Sequence, residues 1–161
     1  MATPRKLGAA AAIGPSVSYL GQHLRGVDNG RVIIPPEWRP AGSPQDLKVV
    51  LWPVTKWEYV LVLPPSRWEF LQKSLEGLPL SDAQAAVVER LISSSTFARS
   101  MDSYGRLQLP EQALPMVGPG SEALLVGRMN KFEIWNPRKY AAALAAQDVP
   151  SITDTIKTIR I

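Results

Sequence analysis

The chain has 161 residues, of which 45% are hydrophobic and 20% are charged, with no cysteine and one histidine. This size and composition fit one globular unit, or two small halves that share a core. The missing cysteines exclude disulfides, thiol catalysis and cysteine-based zinc sites, and they fit a reducing cytoplasm. The lone histidine, His23, is expected to be a surface or structural residue, and no stretch approaches the roughly 18 apolar residues of a membrane span.

The chain begins with MATPRKLGAAAAIGP, which has a basic start and a short alanine run. This loosely resembles a signal peptide, but its apolar part is weak, so a flexible extension over residues 1–15 is expected. The formal net charge is +4, and Arg5 and Lys6 supply half of that surplus. The body is therefore nearly charge-balanced, and any contact with nucleic acid has to come from a few cations placed together in space.

The sequence contains an internal repeat. The segment VDNGRVIIPP (27–36) is followed 75 positions later by a similar segment, DSYGRLQLP (102–110), and KWEY is followed at the same distance by KFEI. The same features in the same order predict two tandem homologous units, over 16–80 and 81–146. A tail over 147–161 follows them.

Each unit has the same predicted plan. A β-prone segment enters the loop, a short alternating run follows it, and two further strands precede a closing helix. The strand segments are SVSYLGQHL, RVIIP, DLKVVLWPV and KWEYVLVL in the first unit, and STFARS, RLQLP, EALLVGRM and KFEIW in the second. Gly30 and Gly105 are predicted to turn the two loops with positive φ, and Asp28 and Asp102 to stabilise those turns by hydrogen bonds.

Three helices are indicated by capping residues and apolar spacing. Ser66 is the predicted N-cap of SRWEFLQKSLEGL, and Ser81 with Gln84 forms a predicted capping box before the helix that links the units. Asn136 is the predicted cap of NPRKYAAALAAQ, with Pro137 at its first position. The five tryptophans are expected to pack in the core or at a subunit interface rather than stack on bases; they are Trp38, Trp52, Trp57, Trp68 and Trp135.

The doubled loop, the LPLSD link and GRMNKFEIW resemble the MraZ family, over residues 18–146. The resemblance implies an α+β fold of two tandem swapped-hairpin units of the AbrB type, pseudo-twofold and barrel-like, with helices closing each unit. It implies a nucleoid-associated cytoplasmic repressor of the division and cell-wall gene cluster. It also implies a ring-shaped homo-oligomer whose loop arginines face tandem promoter repeats in double-stranded DNA.

The family loop has Asp four residues before Arg and Lys before Gly. Asp102 and Arg106 keep the first spacing, whereas Val27 takes the Asp position in the first loop and Asp28 lies three residues before Arg31. Neither loop has the lysine. The predicted DNA contacts are the arginines of the two loops, together with weaker phosphate contacts; the set is Arg31, Arg106, Arg25, Arg99 and Lys131.

An enzyme and a scaffold protein are the two alternatives to a DNA-binding regulator. An enzyme would need a carboxylate pair such as Glu58 and Glu133, but their strand positions predict solvent exposure or ion pairing. No phosphate-binding loop, nucleophile motif or metal-ligand spacing occurs, so no catalysis, cofactor or metal is expected. A scaffold of the same fold with weak or lost DNA binding is the second alternative. The tail SITDTIKTIRI fits a helix, an added strand or disorder equally, and we hypothesise that it modulates oligomer contacts.

Overall fold

The computed structural model describes residues 17–41, 45–52, 58–118 and 122–159. The predicted extension over 1–15 and the predicted packing of Trp57 lie outside these residues.

Eight strands and five helices form the described structure. The strands are β1 (Gln22–Asp28), β2 (Arg31–Ile33), β3 (Gln45–Leu51), β4 (Val60–Leu63), β5 (Thr96–Met101), β6 (Arg106–Gln108), β7 (Glu122–Gly127) and β8 (Phe132–Trp135). The helices are α1 (Pro65–Glu76), α2 (Ala83–Ser94), α3 (Leu114–Val117), α4 (Pro137–Ala145) and α5 (Val149–Lys157). Single 3-10 turns follow β2 and β6, at Pro36–Trp38 and Glu111–Ala113.

The strands close into one antiparallel barrel in the order β1-β2-β6-β5-β3-β4-β8-β7. The order stays the same when the four strands of the first half are exchanged for their counterparts in the second half. The barrel is therefore internally twofold, and its axis passes through the β2–β6 pair on one wall and the β4–β8 pair on the opposite wall. Each half pairs its hairpins with those of the other half, so both halves share a single barrel.

The barrel interior is a continuous apolar core. Its largest fully buried side chains include Trp38, Tyr19 and Phe132, whose rings lie 5.1–5.6 Å apart. A second apolar cluster lies on the outside of the β4–β8 wall, where α1 and α4 cover it with Trp68, Leu71 and Tyr140. Every residue of β4 and β8 is buried as a result. The short strands β2 and β6 instead bury one central residue each, Val32 and Leu107, so their outer face is open.

The α+β class predicted from the sequence is confirmed, and the predicted caps are right in one helix of three. Asn136 accepts from the backbone N–H groups of Arg138 and Lys139, with Pro137 at the first helical position. The Ser66 cap is wrong, because Pro64 is the N-cap and α1 begins at Pro65, whose fixed φ suits the first helical position. The Ser81 cap is also wrong: the Asp82 carboxylate caps α2, since it accepts from two N–H groups.

The described tryptophans pack against apolar side chains, as expected. Trp38 and Trp135 are buried, and Trp52 and Trp68 are half-buried against the outer cluster. His23 lies at the edge of the Trp38 ring and 3.4 Å from the Glu37 carboxylate. The tail forms helix α5, which settles the choice among helix, strand and disorder for residues 149–157.

Candidate nucleic-acid interface

The first hairpin loop, between β1 and β2, is a two-residue turn. Asp28 pairs directly with Arg31 across the hairpin, which leaves Asn29 and Gly30 as the central residues. Their φ angles are 51° and 74°, and positive φ at both positions defines the type I′ turn that favours Asn-Gly. The positive φ predicted for Gly30 is confirmed. The Asp28 carboxylate, predicted to stabilise this turn, forms no hydrogen bond within the described ranges.

The second hairpin loop, between β5 and β6, is one residue longer and is held by Asp102. The Gly105 N–H donates to the Asp102 carbonyl at 3.0 Å, and Gly105 has a φ of 79°. The Asp102 carboxylate accepts from the backbone N–H groups of Tyr104 and Arg106 at 2.9 Å and from the Arg106 Nε at 2.7 Å. The backbone N–H of Arg106 is the main cause that lowers the pKa of this carboxyl, and the Arg106 side chain adds to it.

The strand register corrects the alignment of the two loops. Val27 pairs with Val32 and Met101 pairs with Leu107, so Val27 is the counterpart of Met101 and Asp28 is the counterpart of Asp102. Val27 packs against the core rather than standing in a brace position. The interpretation of Val27 as a replaced Asp is therefore wrong: the first loop is one residue shorter, and its Asp is in register.

Arg31 and Arg106 lie on the same open face of the barrel. Arg31 is paired with Gln108, and Arg106 with Ile33, on either side of the buried Val32–Leu107 pair. The two arginines are thus diagonal neighbours on one sheet face, a spacing of roughly 7–8 Å in antiparallel strands. Two short strands therefore bring residues 75 positions apart into one cationic pair.

The two guanidinium groups differ in their surroundings. Arg106 is held by Asp102 and lies 5.1 Å from the centre of the exposed Tyr104 ring. Its side chain is 41% exposed, and its terminal nitrogens form no hydrogen bond within the described ranges. Among the described residues, none forms a hydrogen bond or ion pair with the Arg31 guanidinium. Arg106 is therefore held by side-chain contacts that Arg31 lacks among the described residues.

Each loop glycine contacts a side chain of the opposite half. A Cβ on Gly105 would overlap the Arg39 guanidinium, whose Nε donates to the Ile34 carbonyl at 2.9 Å. A Cβ on Gly30 would lie 2.7 Å from the Gln108 amide nitrogen. The Gly105 carbonyl accepts from the Ile34 N–H, and the Gly30 carbonyl from the Leu109 N–H, both at 2.8 Å. The sequence does not point to Arg39 or Gln108, because no local pattern reveals contacts that join the two halves.

Arg25 and Arg99 occupy equivalent positions in β1 and β5, but their side chains do not lie on the open face. Each lies two residues before its core-facing strand-end residue and donates to the carbonyl of the preceding residue, at 3.0 and 2.9 Å. Their cross-strand partners, Ala123 and Leu47, are buried core residues. The two side chains therefore leave their strands on the core side, away from the Arg31–Arg106 face.

Lys131 lies in the β7–β8 turn, on the wall opposite the loop arginines. Its ammonium donates to the Asn130 side chain at 3.0 Å. Burial lowers the pKa of Lys131, and the nearby Arg128 and Arg67 lower it further. The structure thus separates Lys131 from the other predicted DNA contacts.

Glu58 and Glu133, which the sequence repeat aligns, are both ion-paired, although the strand register makes Leu61 the counterpart of Glu133. Glu58 accepts from Lys139 at 3.0 Å on the surface, whereas Glu133 is buried and accepts from Arg128 at 3.0 Å and from the Trp135 Nε1 at 2.8 Å. The predicted ion pairing is confirmed for both. Within the described ranges there is no group of metal-ligating side chains, and no described helix has the length and apolarity of a membrane span.

The barrel with paired arginine hairpins places the chain among small β-barrel proteins with a compact cationic face, and comparison with known proteins gives the family. The transcriptional regulator MraZ of Deinococcus radiodurans is 30% identical over 119 residues, which cover 74% of this chain and 81% of the relative. That of Shewanella amazonensis is 33% identical over 74% of the chain and 80% of the relative. That of Thermomicrobium roseum is 28% identical over 88% of the chain and 99% of the relative.

No protein-family model matches the chain. The identity and coverage of these relatives nevertheless show that the chain belongs to the MraZ family. The family resemblance carried by the doubled loop is thereby confirmed.

Proposed function

We propose that the protein is a DNA-binding transcriptional regulator whose contact surface is the open face of β2 and β6. Arg31 and Arg106 bind DNA there, and Arg39 adds a third cation beside Gly105. The observation that carries the proposal is the diagonal placement of the two loop arginines on one uncovered face. The names of the relatives, all transcriptional regulators, support the same function.

The chemistry of arginine suits this task. Its planar guanidinium presents paired donors that can grip a phosphate, or the O6 and N7 atoms of guanine. Asp102 binds Arg106 through Nε alone. The two terminal nitrogens of the Arg106 guanidinium are therefore left to bind DNA. Gln108 and Asn29 flank Arg31 with further hydrogen-bonding groups.

Arg25, Arg99 and Lys131 have a secondary role in this proposal. They contribute to the positive field that attracts DNA rather than to the contact made by the open face.

We further propose a ring-shaped homo-oligomer of these tandem AbrB-like units, acting in the cytoplasm on the nucleoid. Two arginines per chain give few contacts, and repetition around a ring that meets tandem promoter repeats multiplies them by avidity. The regulated genes are those of the division and cell-wall cluster, and the regulator represses them. Helix α5 supports assembly, because Val149, Ile152 and Ile156 expose an apolar side in the single chain.

The role of α5 is tested by deletion. Removal of residues 149–161 should lower the oligomer mass measured by light scattering, because the apolar side of the helix is lost. An unchanged mass would contradict a role of the tail in assembly.

DNA binding is tested by fluorescence anisotropy with DNA from upstream of the gene that encodes this chain, over a salt series. Specific binding should exceed binding to a shuffled sequence by about 10³-fold or more. The logarithm of the affinity should fall by about 0.9 per phosphate contact for each tenfold rise in salt.

The matched variants are Arg106→Ala and Lys73→Ala, which each remove one positive charge. Arg106→Ala should weaken binding by about tenfold or more, since every copy in the oligomer loses the same contact. Lys73 pairs with Glu69 on the surface of α1, so its loss should leave binding unchanged. Equal binding of the specific and shuffled DNA, or no binding at modest ionic strength, would favour the scaffold alternative.

A further inference from the structure

A cleft between α1 and the β7–β8 turn has an apolar floor. Its volume is about 210 Å³, and its floor consists of Trp52, Leu61, Leu63, Phe70 and Leu71. Leu61 and Leu63 are buried, whereas Phe70 is 58% exposed although it is aromatic. The cleft is on the wall opposite the Arg31–Arg106 face, so the proposed DNA contact does not use it.

The rim of this cleft carries three cations, Arg67, Arg128 and Lys131. Glu133 neutralises Arg128 at 3.0 Å, and within the described part of the chain no carboxylate pairs with Arg67 or Lys131. The Arg67 guanidinium lies instead over the Phe70 ring, 4.5 Å from its centre. Burial of Lys131 lowers its pKa, and repulsion from Arg128 and Arg67 lowers it further, as expected where a negative charge would be favourable.

The position of Arg67 is not explained by helix stability. It lies in the first turn of α1, where the helix dipole is positive and an acidic side chain would be favourable. The first turn of α1 contains no acidic residue.

The internal symmetry supplies a comparison for this cation. Lys139 in the first turn of α4 is the counterpart of Arg67, and it is neutralised at 3.0 Å by Glu58 of the other half. The strand register matches Glu133 to Leu61, so the position equivalent to Glu58 is held by the uncharged Asn130. Glu133 itself binds Arg128 and Trp135. One side of the barrel therefore closes its ion pair, and the other side leaves a positive charge beside an apolar floor.

We propose that this cleft binds a compact organic anion, such as a short-chain carboxylate. Its negative group lies between Arg67 and Lys131, and its apolar body rests on Trp52 and Phe70. The cleft volume is below the about 300–1,000 Å³ of sites for drug-sized molecules, so its ligand is smaller than such molecules. Such a ligand would give the regulator a site for a metabolite, separate from the arginine face.

Three probes of one chain length test the charge requirement: octanoate, 1-octanol and octylammonium, titrated into the full-length protein by calorimetry with tryptophan fluorescence as a second readout. Octanoate should bind saturably, 1-octanol about tenfold more weakly, and octylammonium not at all. Equal affinities of octanoate and 1-octanol would overturn the proposal.

Matched variants locate the site. Arg67→Gln should weaken octanoate binding by about tenfold, as expected when a charged hydrogen bond is lost, while Lys139→Gln should leave it unchanged. Phe70→Ala, at an exposed position, should weaken both octanoate and 1-octanol. Octanoate binding that is unaffected by Arg67→Gln, or a change of oligomer mass in that variant, would overturn the proposal, the latter because the cleft would then face a second copy. DNA binding is measured separately and decides a different question.

Discussion

At the scale of single residues, the two hairpin loops solve the same problem in different ways. The first loop uses backbone geometry alone, with Asn29 and Gly30 at positive φ. In the second loop the Asp102 carboxylate also accepts hydrogen bonds from two backbone N–H groups and from the Arg106 side chain. Each loop places one arginine on the open face, and the residues that shape the loop can be tested by substitution.

Gly105→Ala should destabilise the protein by about 1–2 kcal/mol, because a side chain at φ +79° is strained and would displace Arg39 from the Ile34 carbonyl. Urea denaturation measures the loss. Gly77→Ala is the control, since Gly77 has a φ of −71° and ordinary space for a Cβ. Equal stability of the two variants would contradict the strained geometry of the loop.

Asp102→Asn should make the stability less dependent on pH. The folded-state pKa of Asp102 is lowered, so its contribution is fully present above the unfolded-state value of about 3.9 and is lost as pH falls through the folded-state value. The difference in unfolding free energy between the wild type and Asp102→Asn should therefore shrink as pH falls below about 4.

Urea denaturation at neutral and acid pH checks this expectation. Asp28→Asn is the control, since the Asp28 carboxylate has no hydrogen bond or ion pair within the described ranges. A difference for Asp102→Asn that stays constant with pH would show that its charge does not hold the loop.

At the scale of the elements, the glutamates of the KWEY and KFEI segments lie in different surroundings. Glu133 in β8 is buried with its two oxygens bonded to Arg128 and the Trp135 ring. Glu58, which precedes β4, is exposed and pairs only with Lys139 among the described residues. Burial decides how much each glutamate stabilises the fold.

Glu133→Ala should lower the unfolding free energy by about 2 kcal/mol, because it leaves the buried Trp135 Nε1 without an acceptor. Glu58→Ala should cost less than about 0.5 kcal/mol, as is usual for an exposed ion pair. Chemical denaturation of both variants, monitored by circular dichroism, makes the comparison. A larger loss for Glu58→Ala than for Glu133→Ala would contradict the conclusion that burial makes Glu133 the more stabilising of the two glutamates.

The sequence predicted where the strands and turns lie better than it predicted which segments contact one another. Alternation and β-branched residues located the strands of both units, and glycines before Arg31 and Arg106 located the turns, because these signals lie within a few residues. The placement of Val27 was wrong because a constant shift of 75 hides a one-residue difference in loop length. Arg39 and Gln108 were missed because their contacts cross between the halves.

At the scale of the whole molecule, the interleaved barrel joins both halves into one structure. Every hairpin of the first half pairs with a hairpin of the second half, so neither half can lose its strands without exposing the shared core. This order of strands could not be read from local periodicity, since pairing between halves is non-local. The same interleaving creates the arginine face, because β2 and β6 come from different halves.

Interleaving predicts one cooperative unfolding transition for the whole chain. Far-UV circular dichroism and tryptophan fluorescence should give coincident urea curves. Two separated transitions would indicate that the halves unfold independently.

The central claim is that Arg31 and Arg106 together form the DNA contact. It is tested most directly by the salt dependence of DNA binding in two double variants that each remove two positive charges, Arg31→Ala with Arg106→Ala and Lys73→Ala with Lys139→Ala. The arginine pair should lose about tenfold or more in affinity and show a less steep salt dependence, because phosphate contacts disappear. The lysine pair should bind within about twofold of the wild type, since both lysines lie on helices away from the arginine face. An equal loss in the two double variants, or no loss in either, would contradict the claim.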